Sequence, residues 1–335
     1  MGRQVNFKIG IIGCGLIGYK RAKSLGPKGK LIACADINIS KAKKVARNKN
    51  IKIFNNWKKL LEIKEIDIVI ISTPHNQLAK ILLEAYKKNK HILVEKPATK
   101  NLNEIKKIIS KVKGNRIKIR IGYNHRYHQS IIKAQEIIKL GTIGKIMYLR
   151  GRYGHGGRLG YEKEWRAKLS VSGGGELIDQ GSHLIDLSRL FLGEFHKVEG
   201  FINTYFWKMA VEDNAFLTLK THSNKIAFLH ASWTEWKNLF SFEIFGTLGK
   251  LDINGKGGSY GHEKLTLYKM STKMGIPKQK KWKFKKQDVS WKNEINEFYK
   301  DITYNRKPAV NLTDAYKTLK IINTIYKNSK YAHFT

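Results

Sequence analysis

The sequence contains few of the residues that mark disulfide-rich, disordered or membrane-spanning proteins. It has two cysteines and five prolines in 335 residues. So few thiols exclude a disulfide framework, and Cys14 and Cys34 lie in apolar stretches that predict small buried residues. No apolar run approaches the roughly 18 residues that span a bilayer, and the N-terminus lacks a signal-peptide pattern. We therefore expect a cytoplasmic globular protein, long enough for two domains with separate cores.

Acidic residues are scarce as well. The 26 Asp and Glu face 64 Lys and Arg, a formal net charge of +38. Such an excess is compatible with nucleic acid, an anionic membrane or an anionic substrate. The lysines are nevertheless spread along the whole chain, beside abundant Ile and Asn, as A/T-rich codon usage would leave them. Even in the densest run, "KMGIPKQKKWKFKK" from Lys273, Trp282 and Phe284 alternate with lysines as in a half-buried strand. We predict no nucleic-acid partner and no membrane partner.

Two different periodicities are present along the chain. In residues 1–122, apolar runs such as "FKIGIIG", "IDIVIIST" and "KHILVEK" alternate with helical patterns. Apolar strands separated by helices predict a doubly wound parallel sheet, an α/β Rossmann domain. After one more helix, residues 123–335 contain short alternating strands such as "KIMYLRGRYG" and "FSFEIFGT", and then two closing helices. This second domain is predicted to be α+β with a largely antiparallel sheet.

The segment "GIIGCGLIG" carries a G-x-G-x-x-G motif directly after the first apolar strand. In that setting its glycines permit a tight turn, close approach of a pyrophosphate and helix–strand packing. Asp36 ends the second strand, where a carboxylate binds the adenosine ribose and repels a 2′-phosphate, so NAD is favoured over NADP. The alternative is a glycine-rich turn without a nucleotide. The predicted cofactor-binding residues of these two segments are Gly13, Gly15, Leu16, Ile17, Gly18 and Asp36.

Two further loops follow strands at the sheet edge where such domains bind ligands. "STPHNQ" contains Thr73, Pro74 and His75, and "VEKPATKN" contains Glu95 and Lys96. We predict that all five contact the cofactor. A lysine held at a strand end by the following proline is suited to placing an ammonium group beside a nicotinamide, although a Lys-Pro pair is common by itself.

Together, the glycine motif, "EKP" and "GGGELIDQGSHLIDL" at 173–187 resemble the Gfo/Idh/MocA oxidoreductase family over essentially the whole chain. The resemblance implies a dinucleotide-binding domain followed by an open, largely antiparallel α+β domain. The open sheet often forms an interface in this family, so the resemblance also implies a homodimer or homotetramer. Lys96 matches the family's catalytic lysine, and Asp179 and His183 match its D-x-x-x-H pair.

Chemical reasoning leads to similar roles for these three residues. Oxidation of a secondary alcohol needs a base for the hydroxyl proton, and an imidazole such as His183 suits that task near neutral pH. A cationic Lys96 can stabilise the developing alkoxide charge. Asp179, one helical turn before His183, can orient the imidazole or bind a neighbouring hydroxyl. The alternative for the pair is a helix cap and a buried structural histidine.

Two segments rich in planar and hydrogen-bonding side chains, "GYNHRYHQS" and "RYGHGGRLGYEKEW", are predicted to contact the substrate. Their composition suits a polyol, while their arginines also suit a diphosphate. The second segment is similar to relatives in nucleotide-sugar and surface-polysaccharide metabolism. No metal is expected, because H-E-x-x-H and clustered Cys/His spacings are missing. The predicted substrate-binding residues are Tyr123, Arg126, Tyr153, His155, Arg158, Trp165, Arg166, Asp179 and His183.

The resulting prediction is an NAD-dependent dehydrogenase acting on a secondary carbinol of a sugar or nucleotide-sugar. One alternative is an inositol or free-sugar dehydrogenase. Another is a non-catalytic homologue that senses nucleotide and sugar, against which the presence of Lys96, Asp179 and His183 argues.

Overall fold

The computed structural model describes residues 6–47, 50–114, 116–284 and 287–329. The chain forms two compact units. The first takes residues up to Tyr123, then Ser170–Ser172 and Trp291–Leu319. The second takes Asn124–Leu169, Gly173–Ser290 and the residues from Lys320 onward.

The first unit is built on six parallel strands. They are β1 (Phe7–Ile12), β2 (Gly29–Ala35), β3 (Lys52–Phe54), β4 (Ile68–Ile71), β5 (His91–Glu95) and β6 (Ile119–Gly122). Their order in the sheet is β3-β2-β1-β4-β5-β6, which confirms the predicted Rossmann topology. Every residue of β4 is buried, because helices cover both faces of such a sheet.

Five helices alternate with these strands. They are α1 (Leu16–Lys23), α2 (Ile39–Ala46), α3 (Trp57–Leu61), α4 (His75–Lys87) and α5 (Leu102–Lys111). The short elements β3 and α3 were not predicted, because neither is long enough to show a periodicity.

The second unit contains an eight-stranded sheet. Its strands are β7 (Ile146–Gly154), β8 (Phe195–Asn203), β9 (Asn214–Thr221), β10 (Ile226–Ser232), β11 (Leu239–Gly246), β12 (Gly249–Asn254), β13 (Lys264–Lys269) and β14 (Gln279–Lys283). The order is β14-β13-β12-β11-β7-β10-β9-β8. Only β7 and β10 pair in parallel within the described sheet, which confirms the predicted largely antiparallel arrangement. In the basic run, Trp282 and Phe284 are half-buried between exposed lysines, as predicted; Lys285 lies outside the described residues.

The helices from the middle of the chain onward are α6 (Gln129–Lys139), α7 (Leu169–Ser172), α8 (Ser182–Leu192), α9 (Ser290–Thr303) and α10 (Leu312–Asn328). A π-helical turn, Leu177–Gly181, leads directly into α8. Within the described residues, no helix combines the length and apolar character needed to cross a bilayer.

The first unit includes a late segment that the predicted boundary at 122 assigned to the second domain. Tyr299 of α9 stacks on Phe7 with ring centroids 5.0 Å apart, and its hydroxyl donates to the Leu25 carbonyl at 3.0 Å. Arg120 of β6 forms a buried ion pair with Asp301. Because the contact between Tyr299 and Leu25 joins residues 274 positions apart and Phe7 lies still farther from Tyr299 along the chain, no local sequence pattern indicates them.

Candidate active site

The loop after β1 contains glycines with three different steric roles. Gly13 has a φ of +88°, and a Cβ there would lie 2.5 Å from the backbone of Ser72. A Cβ at Gly18 would overlap the carbonyl oxygen of Gly13. At Gly15, a Cβ would meet no protein atom within 4 Å. Positions 13 and 18 therefore need glycine for the packing of the loop itself, whereas glycine at 15 leaves the loop surface accessible to a ligand.

The helix that follows, α1, offers its first amide groups to an anion. Gly15 is its N-cap and supplies no side-chain acceptor, and the first turn, which includes Leu16 and Ile17, has no acidic residue. Unpaired N–H groups and the helix dipole favour negative charge at such an end. Ser72, just after β4, donates its hydroxyl to the Gly13 carbonyl at 2.7 Å. The loops after β1 and β4 thus join where the strand order reverses, the usual nucleotide position.

Asp36 lies at the end of β2 beside this loop. Its Oδ2 accepts the Cys14 N–H at 2.7 Å and its Oδ1 accepts the Asn38 N–H at 2.8 Å. Each carboxylate oxygen can accept a second hydrogen bond, so the orientation is fixed while acceptor capacity for a ribose diol remains.

The loop after β4 contains the three residues predicted to line the cofactor. The Thr73 hydroxyl is buried and has no hydrogen-bond partner among the described residues. Pro74 is the N-cap of α4. His75 is buried, and its Nδ1 lies 2.7 Å from the Ser172 carbonyl oxygen. Thr73 therefore has unused hydrogen-bonding capacity, whereas His75 supports segment 170–172.

At the end of β5, Glu95 and Lys96 differ in their surroundings. Glu95 is buried and pairs with Arg21 of α1, with Nε to Oε1 at 2.7 Å. Arg21 also pairs with the buried Glu294 of α9 and lies over the Trp291 ring at 4.5 Å. Lys96 is half-buried. The predicted cofactor contact of Glu95 stays a prediction, and the structure gives this carboxylate a role in holding the strand end that carries Lys96.

In the second unit, Asp179 lies in the π-helical turn and His183 on α8. A π turn inside a helical segment is uncommon and occurs frequently at functional sites. Asp179 accepts a hydrogen bond from Arg166 Nε at 2.9 Å. The imidazole of His183 is 6% exposed and packs on the His125 ring with centroids 3.8 Å apart.

Aromatic rings surround this pair of histidines. Tyr153 of β7 lies 5.2 Å from His125 and 6.2 Å from His183 by ring centroids. Tyr260 lies edge-on to Tyr153 at 5.4 Å, and its hydroxyl accepts a hydrogen bond from Gln180 Nε2 at 3.1 Å. Burial raises the pKa of both Tyr153 and Tyr260 above the ordinary tyrosine value. Their hydroxyls therefore stay protonated at neutral pH and can serve as hydrogen-bond donors.

His155, at the end of β7, belongs to a second aromatic group. Its ring lies edge-on to Tyr161 at 5.5 Å, and Tyr161 contacts the buried Trp233 at 5.0 Å. The Nδ1 of His155 accepts the Gly157 N–H at 2.8 Å. Burial lowers the pKa of His155 to about 4, so this imidazole is neutral at physiological pH.

All three predicted arginines have carboxylate partners. Arg126 makes two hydrogen bonds to Asp186, at 2.7 and 2.6 Å. Arg158 pairs with Glu164, and Arg166 pairs with Asp179 while lying over the Trp165 ring at 4.6 Å. Tyr123, by contrast, is fully buried and belongs to the first unit.

Glu212 anchors the glycine-rich start of the π turn. Its carboxylate accepts the N–H groups of Gly175 and Leu177, each at 3.0 Å, and the hydroxyl of Tyr326 at 2.8 Å. A Cβ at Gly175 would overlap the Glu212 carbonyl oxygen. Burial raises the pKa of Glu212 to about 7, although these hydrogen bonds lower it.

The sequence patterns gave no role to Glu212 or Tyr260. "VEDN" resembles a polar turn before β9, and "GGSYG" resembles an ordinary glycine loop. For Glu212, the usable signal was a carboxylate beside an apolar strand in a chain that has few acidic residues. His125 was part of a segment assigned to the substrate, but its packing on His183 was not predictable from spacing. Among the described residues, no cluster of His, Cys, Asp and Glu is arranged to hold a metal ion.

Comparison with known proteins places both units in one family. Residues 7–123 match the model described as "Oxidoreductase family, NAD-binding Rossmann fold", and residues 131–252 match the "GFO/IDH/MocA C-terminal domain". The chain belongs to the Gfo/Idh/MocA oxidoreductase family. Its first unit is therefore an NAD-binding domain, as the glycine motif and Asp36 predicted.

Individual members of the Gfo/Idh/MocA family are similar over different lengths. The scyllo-inositol 2-dehydrogenase (NAD(+)) of Bacillus subtilis is 30% identical over 77% of this chain and 75% of its own length. The levoglucosan dehydrogenase of Pseudarthrobacter phenanthrenivorans is 30% identical over 60% of this chain, and the chain spans only 55% of that relative. A levoglucosan dehydrogenase solved with NADH and levoglucosan has 22% identity, a TM-score of 0.88 and 98% coverage of both chains. This last similarity shows the fold.

The features of the first unit fit NAD. Gly15 presents an open loop surface, Asp36 has free acceptor capacity, and the buried Thr73 hydroxyl needs a hydrogen-bond partner. The loop surface at Gly15 would hold the pyrophosphate, and Asp36 would hold the adenosine ribose. The Thr73 hydroxyl would bond a neighbouring polar atom of the dinucleotide.

Proposed function

We propose that this family member is an NAD-dependent dehydrogenase that oxidises a secondary carbinol of a free sugar or a polyol. The observation that carries the proposal is the placement of His183 on α8, directly after a π turn and beside Tyr153. The hydroxyls of Tyr153 and of its neighbour Tyr260 stay protonated. Hydroxyl donors and aromatic faces together are the surface that a polyol requires. The names of the levoglucosan and inositol dehydrogenases support the same substrate class.

In this proposal, His183 accepts the proton of the reacting hydroxyl. When held by the Gly15 loop and Asp36 of the first unit, NAD would supply the acceptor for the hydride of the carbinol carbon. Lys96 is assigned to the developing alkoxide charge on the basis of its match to the family's lysine. Asp179 is held by Arg166 at 2.9 Å, and we assign it to a hydroxyl next to the one that is oxidised.

A free sugar or polyol is favoured over a nucleotide-sugar by the arginines. A diphosphate is bound best by arginines whose positive charge is not already balanced by a carboxylate, and Arg126, Arg158 and Arg166 each pair with one. Breaking a buried pair such as Arg126–Asp186 would leave an uncompensated charge, which costs several kcal/mol. The nucleotide-sugar substrate therefore stays a prediction. The homodimer or homotetramer, on which the arginines do not bear, stays a prediction as well.

The test is a reduced-cofactor absorbance assay with NAD across inositols, anhydrosugars, free sugars, sugar phosphates and UDP-sugars. We expect turnover of at least one inositol or sugar, and a loss of about a hundredfold or more in kcat for His183→Ala and for Lys96→Ala. The matched controls are His196→Ala, on an exposed part of the second unit, and Lys100→Ala, four residues after Lys96. Both should keep wild-type kcat.

Each other outcome has a definite meaning. If only UDP-sugars react, the substrate class proposed here is wrong. If NAD binds but nothing reacts, the protein is a non-catalytic homologue. Wild-type kcat in Lys96→Ala would remove that lysine from the mechanism and leave the rest intact.

A further inference from the structure

A chain of hydrogen bonds in the second unit ends at the histidine that packs on His183. We name it the relay; its members, in order, are Asp288, Ser290, Asn124 and His125. Asn124, Ser290 and His125 are buried. None of the four was assigned a role in the proposed chemistry.

The direction of each bond in the relay follows from its neighbours. Ser290 Oγ lies 2.6 Å from Asp288 Oδ1, and an ionised carboxylate only accepts, so the serine hydroxyl donates its proton there. The same serine oxygen must then accept from Asn124, whose Nδ2 lies 2.8 Å away. This assignment fixes the Asn124 amide, which otherwise has two indistinguishable orientations.

The orientation of Asn124 in turn determines the tautomer of His125. With its NH₂ group on Ser290, Asn124 presents Oδ1 to His125 Nδ1 at 3.3 Å. An amide oxygen only accepts, so Nδ1 of His125 carries a proton. In the neutral imidazole the basic nitrogen is therefore Nε2.

Asp288, at the start of the relay, is itself held from several directions. Its Oδ1 also accepts the Ser290 N–H at 2.9 Å. His128 Nδ1 lies 3.9 Å from the same oxygen and 3.3 Å from Glu263. The His128 ring meets His125 edge-on at 5.3 Å. The relay thus starts from a fixed carboxylate, and its other end cannot rotate without breaking a buried hydrogen bond.

His125 and His183 have ring centroids 3.8 Å apart, tilted by 33°, with exposures of 4% and 6%. Turning the His125 ring over by half a revolution would put its carbons where its nitrogens lie, so both the N–H and the lone pair would move relative to His183. We propose that His125, locked by the relay in the Nδ1–H tautomer, is a positioning residue that holds the His183 imidazole for proton transfer. This inference rests on the proposed function of His183.

The tautomer is tested first, by long-range ¹H–¹⁵N NMR of the full chain labelled with ¹⁵N-histidine. The His125 signals are identified by their loss in His125→Gln. We expect the Nδ1–H form in the wild type and a mixture of tautomers in Ser290→Ala. Ser290→Thr keeps the hydroxyl and should restore the Nδ1–H form. Ser188→Ala, which removes another buried hydroxyl bonded at 2.7 Å to Leu184, should change nothing. An Nε2–H form in the wild type, or no response to Ser290→Ala, would overturn the relay.

The positioning role is tested by kinetics on whichever substrate the wild type oxidises. Ser290→Ala and Asn124→Ala should lower kcat about ten- to a hundredfold, less than loss of an acid–base group itself. The Kd for NAD should not change, since the relay belongs to the second unit. Ser290→Thr should recover kcat.

The two proposals fail in different ways. A disturbed tautomer with unchanged kcat would contradict the positioning role and leave the dehydrogenase proposal standing. A wild type that oxidises no sugar or polyol would contradict the proposed function and the kinetic half of this inference, while the NMR result still decides the relay.

Discussion

At the scale of single residues, the scarce carboxylates of this chain hold loops in place. Asp36 accepts amides from the glycine loop and from Asn38, and Glu212 accepts two amides at the start of the π turn. Asp213 accepts the N–H groups of Tyr205, Phe206 and Trp207. Each of these carboxylates accepts two or more backbone N–H groups at once, so a few acids fix several loops.

Replacing Asp36 by Asn should weaken NAD binding and reduce the preference for NAD over NADP. The amide keeps one acceptor oxygen for the backbone but loses the negative charge that excludes a 2′-phosphate. A hydrogen bond to a charged group contributes about 1.5–3 kcal/mol, so we expect Kd for NAD to rise about tenfold or more. Isothermal titration with both dinucleotides measures this change.

The matched control for Asp36→Asn is Asp67→Asn. Asp67 also accepts a backbone amide, from Lys8 at 2.8 Å, but it precedes β4 at the opposite end of the strand. If both variants changed the NAD/NADP ratio equally, the preference would not depend on Asp36.

Glu212 should make the stability of the second unit depend on pH. Its pKa is about 7 in the folded chain against an ordinary value of 4.5, so below pH 4.5 both the folded and the unfolded forms are protonated. Between pH 4.5 and 7 only the folded form keeps the proton, and the free energy of unfolding therefore falls as pH rises. The difference between the folded and the ordinary pKa corresponds to a loss of about 3 kcal/mol in the free energy of unfolding, at about 1.4 kcal/mol per pH unit.

Urea unfolding from pH 4.5 to 8, monitored by tryptophan fluorescence, would reveal this contribution as the difference between the wild type and Glu212→Gln. The glutamine variant should lack that part of the pH dependence. Tyr326→Phe removes a hydrogen bond that lowers the Glu212 pKa, and so should extend the fall to higher pH. If the free energy of unfolding changed with pH in the same way in the wild type and in Glu212→Gln, the Glu212 carboxylate would not titrate between pH 4.5 and 8.

At the scale of helices and strands, the predictable elements are those whose own periodicity determines them. The apolar runs of β1 and β4 and the short alternating runs of β7 and β11 were identified from the sequence. The strands β12 and β13 were missed, because "KLDIN" and "KLTLYK" are short and follow glycine-rich turns. The π turn was missed too, since four-residue spacing of Asp179 and His183 is equally typical of an ordinary α-helix.

Alanine at Gly15 and at Gly18 should differ in its effect on folding but should weaken NAD binding at both positions. Gly15 has a φ of −68°, which alanine adopts easily, and its Cβ would meet no protein atom. Gly15→Ala should keep the wild-type Tm and lose NAD affinity, because the methyl group occupies the surface where a pyrophosphate would lie. Gly18→Ala should lower Tm as well, because its Cβ overlaps the Gly13 carbonyl. Thermal denaturation with and without NAD separates the two cases; equal Tm losses would contradict the distinct roles of the two positions.

At the scale of the whole molecule, the charge and the chain path were predictable to different degrees. The net charge of +38 is read directly from the composition, and the lysines of β14 are exposed around a half-buried Trp282. The return of α9 to the first unit was not predictable. That unit is completed by side chains such as Glu294, Phe298 and Tyr299, which contact residues from the start of the chain.

Because α9 from Trp291 onward belongs to the first unit, a destabilising change in this part of α9 should lower the stability of the unit that binds NAD. Tyr299 is 1% exposed, stacks on Phe7 and bonds the Leu25 carbonyl, so Tyr299→Ala should cost about 3–5 kcal/mol of unfolding free energy. The control is Tyr304→Ala, just after the same helix, where the side chain is 69% exposed and the cost should be under about 0.5 kcal/mol. Chemical unfolding at saturating NAD and without NAD measures both effects. NAD should raise the denaturant midpoint of the transition that unfolds the NAD-binding unit, because the dinucleotide stabilises only the unit that binds it. Tyr299→Ala should lower the midpoint of that same transition. An NAD-responsive transition unaffected by Tyr299→Ala would mean that residues 6–123 form the dinucleotide domain without α9.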